Sequence, residues 1–381
     1  MTDISSRPGS GLPIIGGLSP VARIAFLVVV GLAITTIVLS VVVTGLPPTV
    51  VFGLAAISIL GLAWLIGQAT ERIGAITGPQ VGGILNATFG NIAELIIAFF
   101  ALQAGLIDVV KASLTGSIIG NLLLVLGLSV LFGGLKNGRQ TFSREIAGSN
   151  AALLVLAAIG LLIPAVLSFS SAGTEGSVVE DSVLVSVLLI AGYVLSLIYQ
   201  FTNPSSTLGG HQPHDSREGP AWTGRTAAVV LVGAAILLAI LSEILVGAIE
   251  PVVETLGLTA FFVGVIILPV IGNLAEQLVA VQLALKNRME FSMAVSYGAS
   301  LQVALFVAPV LVVLGVLTGH PMDLVFAPLE VAAVAAAVGI SALIALDGES
   351  NWLEGALLVI VYLILAASFF ELVAPALVAP S

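Results

Sequence analysis

The chain has 381 residues, 59% of them hydrophobic and 8% charged, with a formal net charge of −10 and no cysteine. A soluble domain carries about 25% charged residues, so this chain has too little polar surface to face water all round, and its solvent is lipid. The acidic balance argues against a nucleic-acid partner and suits a cation-collecting surface, while the missing cysteines exclude disulfides, thiolate metal sites and thiol nucleophiles.

A helix needs about 20 mainly apolar residues to cross the hydrocarbon core, and such runs recur almost end to end. The ten-residue apolar/polar alternation of a lipid-facing barrel is missing. The expected fold is therefore an all-α polytopic membrane protein. The first 20 residues, rich in Gly, Ser and Pro, read as a cytoplasmic tail. The apolar run behind them is too long for a signal-peptide core and reads as a retained helix. Breaking the apolar runs at charged and Pro/Gly clusters gives eleven spans, near 21 to 43, 49 to 68, 80 to 104, 112 to 132, 148 to 169, 181 to 200, 226 to 249, 258 to 285, 291 to 317, 324 to 346 and 354 to 375. With the amino terminus inside, ten of the eleven basic residues fall on the cytoplasmic face and only Lys111 falls outside. That obeys the positive-inside rule and predicts an N-in, C-out chain. Asp108, Glu175, Glu180, Asp181, Glu250, Glu254 and Asp323 then lie outside, where they attract cations.

The polar stretch from Phe201 to Thr223 divides the chain nearly in half and reads as a cytoplasmic linker. Its His211 and His214 lack a third ligand and read as solvated. On either side lies the same pattern. At an offset of 182 (276 − 94), Gly90, Asn91, Ala93 and Glu94 fall on Gly272, Asn273, Ala275 and Glu276, and the register runs on to Gly116 over Gly298 and Val125 over Val307. Spans three and eight are separated by an odd number of crossings, so the copies are expected to be inverted, the architecture of many secondary transporters. The expected organisation is residues 21–45 as an additional first helix, 46–200 as a first five-helix repeat, 201–223 as the linker and 224–381 as the second, inverted repeat.

The chemistry is expected at the glutamates. An ionisable residue at mid-bilayer costs about 2.5 to 3.5 kcal/mol on insertion scales, so it needs a partner, a proton or an ion. Glu94 and Glu276 lie deep in spans three and eight, and Asn91 and Asn273, three positions earlier, place an amide on the same helical face. Two hard carboxylates with amide oxygens suit Ca²⁺, which takes six to eight oxygen ligands. Without the cation the same pair suits protons, and mutually exclusive occupancy is what antiport requires. The plain alternative is an interhelical hydrogen bond from a permanently protonated acid. Gly82, Gly83, Gly90, Gly264, Gly272 and Pro269 either loosen backbone whose carbonyls become ligands or merely pack and kink helices. Ser117, Asn121, Ser300 and Gln302 on the following helices are candidate neighbours of the site, or ordinary polar glue. Glu71 and Glu250, near-equivalent under the repeat, are candidate pathway carboxylates at the two mouths. Glu330 and Glu371, near helix ends, are expected to snorkel to the surface.

The segments GNIAELIIAFFAL and GNLAEQLVAVQLALKNRMEFSMAVSYGASLQVALFVAP closely resemble the two α-repeats of the Ca²⁺/H⁺ exchanger branch of the Ca²⁺/cation antiporter superfamily. The resemblance implies eleven helices, alternating access and Ca²⁺ held by the glutamates that stand here at 94 and 276. The sequence departs from the family at Gln277, where a His is frequent, in a linker acidic only at Asp215 and Glu218, and at Ala299, where a Gly-Ser pair is common. A Na⁺/Ca²⁺ or other divalent-cation exchanger is the nearest alternative, and a cation channel or an intramembrane enzyme stands further off. The chain has no His-Glu-x-x-His, Gly-x-Gly-Asp or Walker-type sequence to support an enzyme. Short tails and linker lean toward a prokaryotic plasma membrane.

Overall fold

The computed structural model describes residues 18–371 except 44, 79–81, 83, 84, 86, 87, 171–174 and 203–221. His211, His214, Asp215 and Glu218 lie outside the described residues, as do most of the amino-terminal tail and Gly83. The chain is an all-α membrane protein. Its helices are α1 (Pro20–Val42), α2 (Pro48–Thr77), α3 (Ile92–Gln103), α4 (Ile107–Ile119), α5 (Leu126–Asn137), α6 (Arg144–Ser170), α7 (Glu175–Thr202), α8 (Gly224–Gly247), α9 (Ile249–Leu256), α10 (Ala260–Phe262), α11 (Leu268–Leu285), α12 (Met289–Gln302), α13 (Ala308–Thr318), α14 (Pro328–Ile344) and α15 (Trp352–Glu371). π-helical turns, Gly120–Val125, Val263–Ile267 and Val303–Val307, join α4 to α5, α10 to α11 and α12 to α13.

Eight segments among the described residues are long and apolar enough to cross a membrane, and they correspond to expected spans one, two, four to seven, nine and eleven. The other three differ from simple rods. Span three is interrupted: Thr88 and Phe89 are helical, Gly90 and Asn91 form a turn, and α3 begins at Ile92. Span eight is preceded by α9, an unexpected helix in the loop, and the chain bends by 114° between the two. Span ten is the 17-residue α14. Large apolar side chains such as Leu27, Leu195 and Leu363 lie exposed on the outer helices, where a soluble protein would bury them and lipid solvates them.

The two halves repeat in structure as they do in sequence. Adding 182 to α4 (107–119), its π-helical turn (120–125) and α5 (126–137) gives 289–301, 302–307 and 308–319, within one residue of α12, its π-helical turn and α13. The packing exchanges in the same way. α3 meets α8 as α11 meets α2, α5 meets α15 as α13 meets α7, and the pairs α2–α8 and α6–α14 face each other across the exchange.

Helix ends and loops from different halves tie the bundle at both ends. At one end Lys111 Nζ donates to Asp323 Oδ1 (2.6 Å) and the Val325 carbonyl (2.8 Å), Gln103 Nε2 to Thr318 Oγ1 (2.8 Å), and the Leu324 N–H to Ser182 Oγ (3.0 Å). At the other, Gln140 Nε2 donates to the Ala284 carbonyl (2.9 Å) and Asn287 Oδ1 (3.0 Å), and Asn137 Nδ2 to the Ala284 carbonyl (3.1 Å). Two short strands, β1 (Gln140–Thr141) and β2 (Glu349–Ser350), pair there antiparallel. The exposed Arg139–Glu349 pair beside them, at 3.3 Å, contributes under about 1 kcal/mol.

Candidate functional site

The site is where the repeated segments meet. Asn91 closes the turn before α3 and its carbonyl accepts the Leu95 N–H (3.1 Å), so Glu94 stands in the first turn of α3. In the first copy Asn91 is the residue just before the helix and Glu94 is the third residue within it. The helix amino terminus favours negative charge, which a rod running through this position would not supply. In the second copy Asn273 and Glu276 both lie on α11, as expected.

The carboxylate of Glu94 is buried, and neither of its oxygens has a hydrogen-bond partner. Glu276, half-buried, lies within electrostatic reach of it. The two asparagines cross between repeats. Asn91 Nδ2 donates to Gln302 Oε1 on α12, and Asn273 Nδ2 donates to Ser117 Oγ on α4 at 3.4 Å. Each amide thus spends a donor on the opposite half, and Oδ1 of both asparagines is left buried without a partner. A buried oxygen with no donor is costly, about 1 to 3 kcal/mol, more if charged, and Glu94, Asn91 and Asn273 together carry four such oxygens, of the kind a cation would satisfy.

Two glycines bring the repeats close enough. A methyl group on Gly272 would lie 2.9 Å from Cγ, Cδ and Oε1 of Glu94, so the second repeat's backbone forms one wall of the first glutamate's pocket. A methyl on Gly116 of α4 would overlap the carbonyl of Val265 and press on Pro269. The expected loosening around Pro269 is visible as the π-helical turn Val263–Ile267 directly before it. Proline has no N–H to return to the carbonyl four residues back, which is that of Val265.

The other expected site residues are distributed unevenly. Ser117 and Gln302 join the centre as partners of the asparagines. Asn121 is buried in the first π-helical turn with Nδ2 unpartnered. The hydroxyl of Ser300 instead bonds the Ser296 carbonyl of its own helix (3.0 Å). Glu71 near the end of α2 and Glu250 in the first turn of α9 are exposed. Glu371 is exposed at the end of α15, but Glu330 does not snorkel: it is 3% exposed and accepts from Thr115 Oγ1 (3.0 Å), because the start of α14 packs against α4 rather than facing lipid headgroups. Among the described residues no three His, Cys, Asp or Glu side chains gather as a metal site, so ligands beyond the two carboxylates have to be amide, hydroxyl, carbonyl or water oxygens. The contact of Gly272 with Glu94 was not foreseen; its sequence signal was the glycine one residue before Asn273 in the repeated segment.

The sodium/calcium exchanger protein family matches residues 47–202 and 226–370. The chain belongs to this family. Within it the chain falls in the Ca²⁺/H⁺ exchanger branch. It is 46% identical over 343 residues to the Ca²⁺/H⁺ antiporter of Synechocystis sp., covering 84% of this chain and 91% of that protein. It is 42% identical over 332 residues to the Ca²⁺/H⁺ antiporter ChaA of Bacillus subtilis, covering 86% and 93%. The solved structure of native YfkE has a TM-score of 0.78 and 38% identity, over 91% of this chain and 99% of that one. The H⁺/Ca²⁺ exchanger CAX, at 16% identity, has the same fold with a TM-score of 0.73 over 93% and 94%. This exchanger-family chain is accordingly a multi-pass membrane protein, and the relatives it matches are transporters.

Proposed function

We propose that this chain is a secondary antiporter that exchanges Ca²⁺ for protons by alternating access, with Glu94 and Glu276 holding either the cation or the protons. The observation that carries the reading is the set of unpartnered buried oxygens drawn from both repeats. Two oxygens each from Glu94 and Glu276 and one each from Asn91 and Asn273 make six, the lower end of what Ca²⁺ takes. The names of the Synechocystis and Bacillus relatives supply the same substrates. The eleven spans, N-in and C-out, and the division into an additional helix, two inverted five-helix repeats and a linker belong to this reading. It is supported by the ties at the bundle ends, since each joins residues expected on one face of the membrane: Lys111 with Asp323 outside, Gln140 with Asn287 inside. The likeness to bacterial relatives supports a prokaryotic plasma membrane as its location.

The mechanism follows from charge. Empty, two carboxylates near one another in a low-dielectric site repel and take up protons; a divalent cation neutralises both and displaces them. If both glutamates titrate, two protons replace one Ca²⁺ and the exchange moves no net charge at the site. Exchanging the conformations of the two repeats then carries the loaded site from one face to the other. Asn91 and Asn273, each tied to the opposite repeat, hold their oxygens toward the ion while the repeats move.

In proteoliposomes an imposed proton gradient is expected to drive saturable Ca²⁺ uptake against its own gradient, with collapse when the gradient is dissipated. Uptake driven by a sodium gradient and indifferent to pH would instead favour Na⁺/Ca²⁺ exchange, and large single-channel currents would defeat the antiporter reading.

A further inference from the structure

Glu330 is a buried carboxylate in a membrane that the exchange mechanism does not use. It lies against α4, the helix whose Ser117 meets Asn273, but from behind. Lys111 and Thr115, four residues apart on α4, face the segment that starts α14: Lys111 binds Asp323 and the Val325 carbonyl, and Thr115 Oγ1 donates to Glu330 Oε1 (3.0 Å). Glu330 Oε2 accepts the Ala327 N–H (2.9 Å), which caps α14. A cap alone does not require burial, since a capping glutamate works equally well exposed. Here the carboxylate sits in a small apolar pocket with Ile118, Leu161, Phe326 and Val334, where its desolvation is offset by the Ala327 N–H on one oxygen and by Thr115, which turns toward the other. Thr115 is two positions from Ser117, on nearly the opposite side of α4, so a bond that holds Thr115 also sets how far Ser117 reaches. That reach matters, because the Asn273–Ser117 bond is already long at 3.4 Å and a small retreat of α4 breaks it.

We infer that Glu330, through Thr115, is a positioning residue for cation binding: it braces α4 from behind so that Ser117 engages Asn273 and aims the amide oxygen at the ion. The inference rests on the Ca²⁺ exchange reading. Its test is Ca²⁺ uptake in proteoliposomes under a fixed pH gradient, with KM and Vmax measured separately for Glu330→Ala, Glu330→Gln, Thr115→Val and Thr115→Ser. Glu330→Ala and Thr115→Val are expected to raise KM about tenfold with Vmax within about twofold. Glu330→Gln, which keeps an oxygen for Thr115, and Thr115→Ser, which keeps the hydroxyl, are expected to stay within about threefold of the parent. In a Ser117→Ala background the further effect of Glu330→Ala on KM should vanish, because the bond it supports is already gone. A parent-like KM in Glu330→Ala, a Gln variant as impaired as the Ala variant, or an undiminished effect in the Ser117→Ala background overturns the inference. Absence of proton-driven uptake in the unmodified protein would instead strike the exchange reading itself.

Discussion

Glu94→Gln and Glu276→Gln are each expected to lose Ca²⁺ uptake by about two orders of magnitude or more, while the protein is made and melts as the parent does. The first half follows from charge. Removing one member of a buried charge interaction costs about 2 to 5 kcal/mol, and 3 kcal/mol is already over a hundredfold in binding. A neutral amide also cannot exchange a proton for the ion, so what binding remains is uncoupled. The second half follows from the membrane: glutamine fills the same space as glutamate and is cheaper in lipid than a charge, and Glu94 has no hydrogen bond to lose. Transport by either variant above half the parent's rate would remove that glutamate from the exchange step.

Gly272→Ala is expected to raise the KM for Ca²⁺ about tenfold or more through a residue with no polar side chain. Its methyl group would stand 2.9 Å from three atoms of the Glu94 side chain, and overpacking of this kind costs about 1 to 3 kcal/mol. Glu94 is the part able to yield, since Gly272 lies in helical backbone, so the carboxylate swings out of its place against Gly272. Gly298→Ala is the control. Nothing lies within 4 Å of a methyl added there, and alanine is the better helix former, so uptake should be unchanged. Equal behaviour of the two variants in a Ca²⁺ dose response would contradict the pocket wall assigned to Gly272.

The repeat was readable from sequence because its signature is residues that must be the same in both halves. Asn91 and Asn273 each cross to the other half, so a substitution in one copy breaks a contact with the other. Glu94 and Glu276 were visible for a related reason: charge in an apolar run has few cheap explanations. The start of α3 at Ile92 was less visible, because the residues on both sides of Gly90 and Asn91 are apolar and read as one span. The π-helical turns left almost no mark. Pro269 follows one and Pro309 follows another, but Gly120–Val125 has no proline near it. Glu330 was misread because its position near a helix end is what a snorkelling residue shows, and the partner that buries it, Thr115, lies 215 residues away. The strands Gln140–Thr141 and Glu349–Ser350 are too short to carry an alternating pattern, and their pairing depends on loops brought together by the fold.

That the same oxygens hold either Ca²⁺ or protons is tested most directly by counting protons released when Ca²⁺ binds. In weakly buffered detergent solution with a pH indicator, adding Ca²⁺ to the purified protein should release protons in proportion to occupied sites, approaching two per Ca²⁺ when both glutamates start protonated. The release should shrink as the starting pH rises and the protons are already gone, and it should be lost in the Glu94→Gln, Glu276→Gln double variant. Saturable Ca²⁺ binding with no proton release at any starting pH would contradict the account.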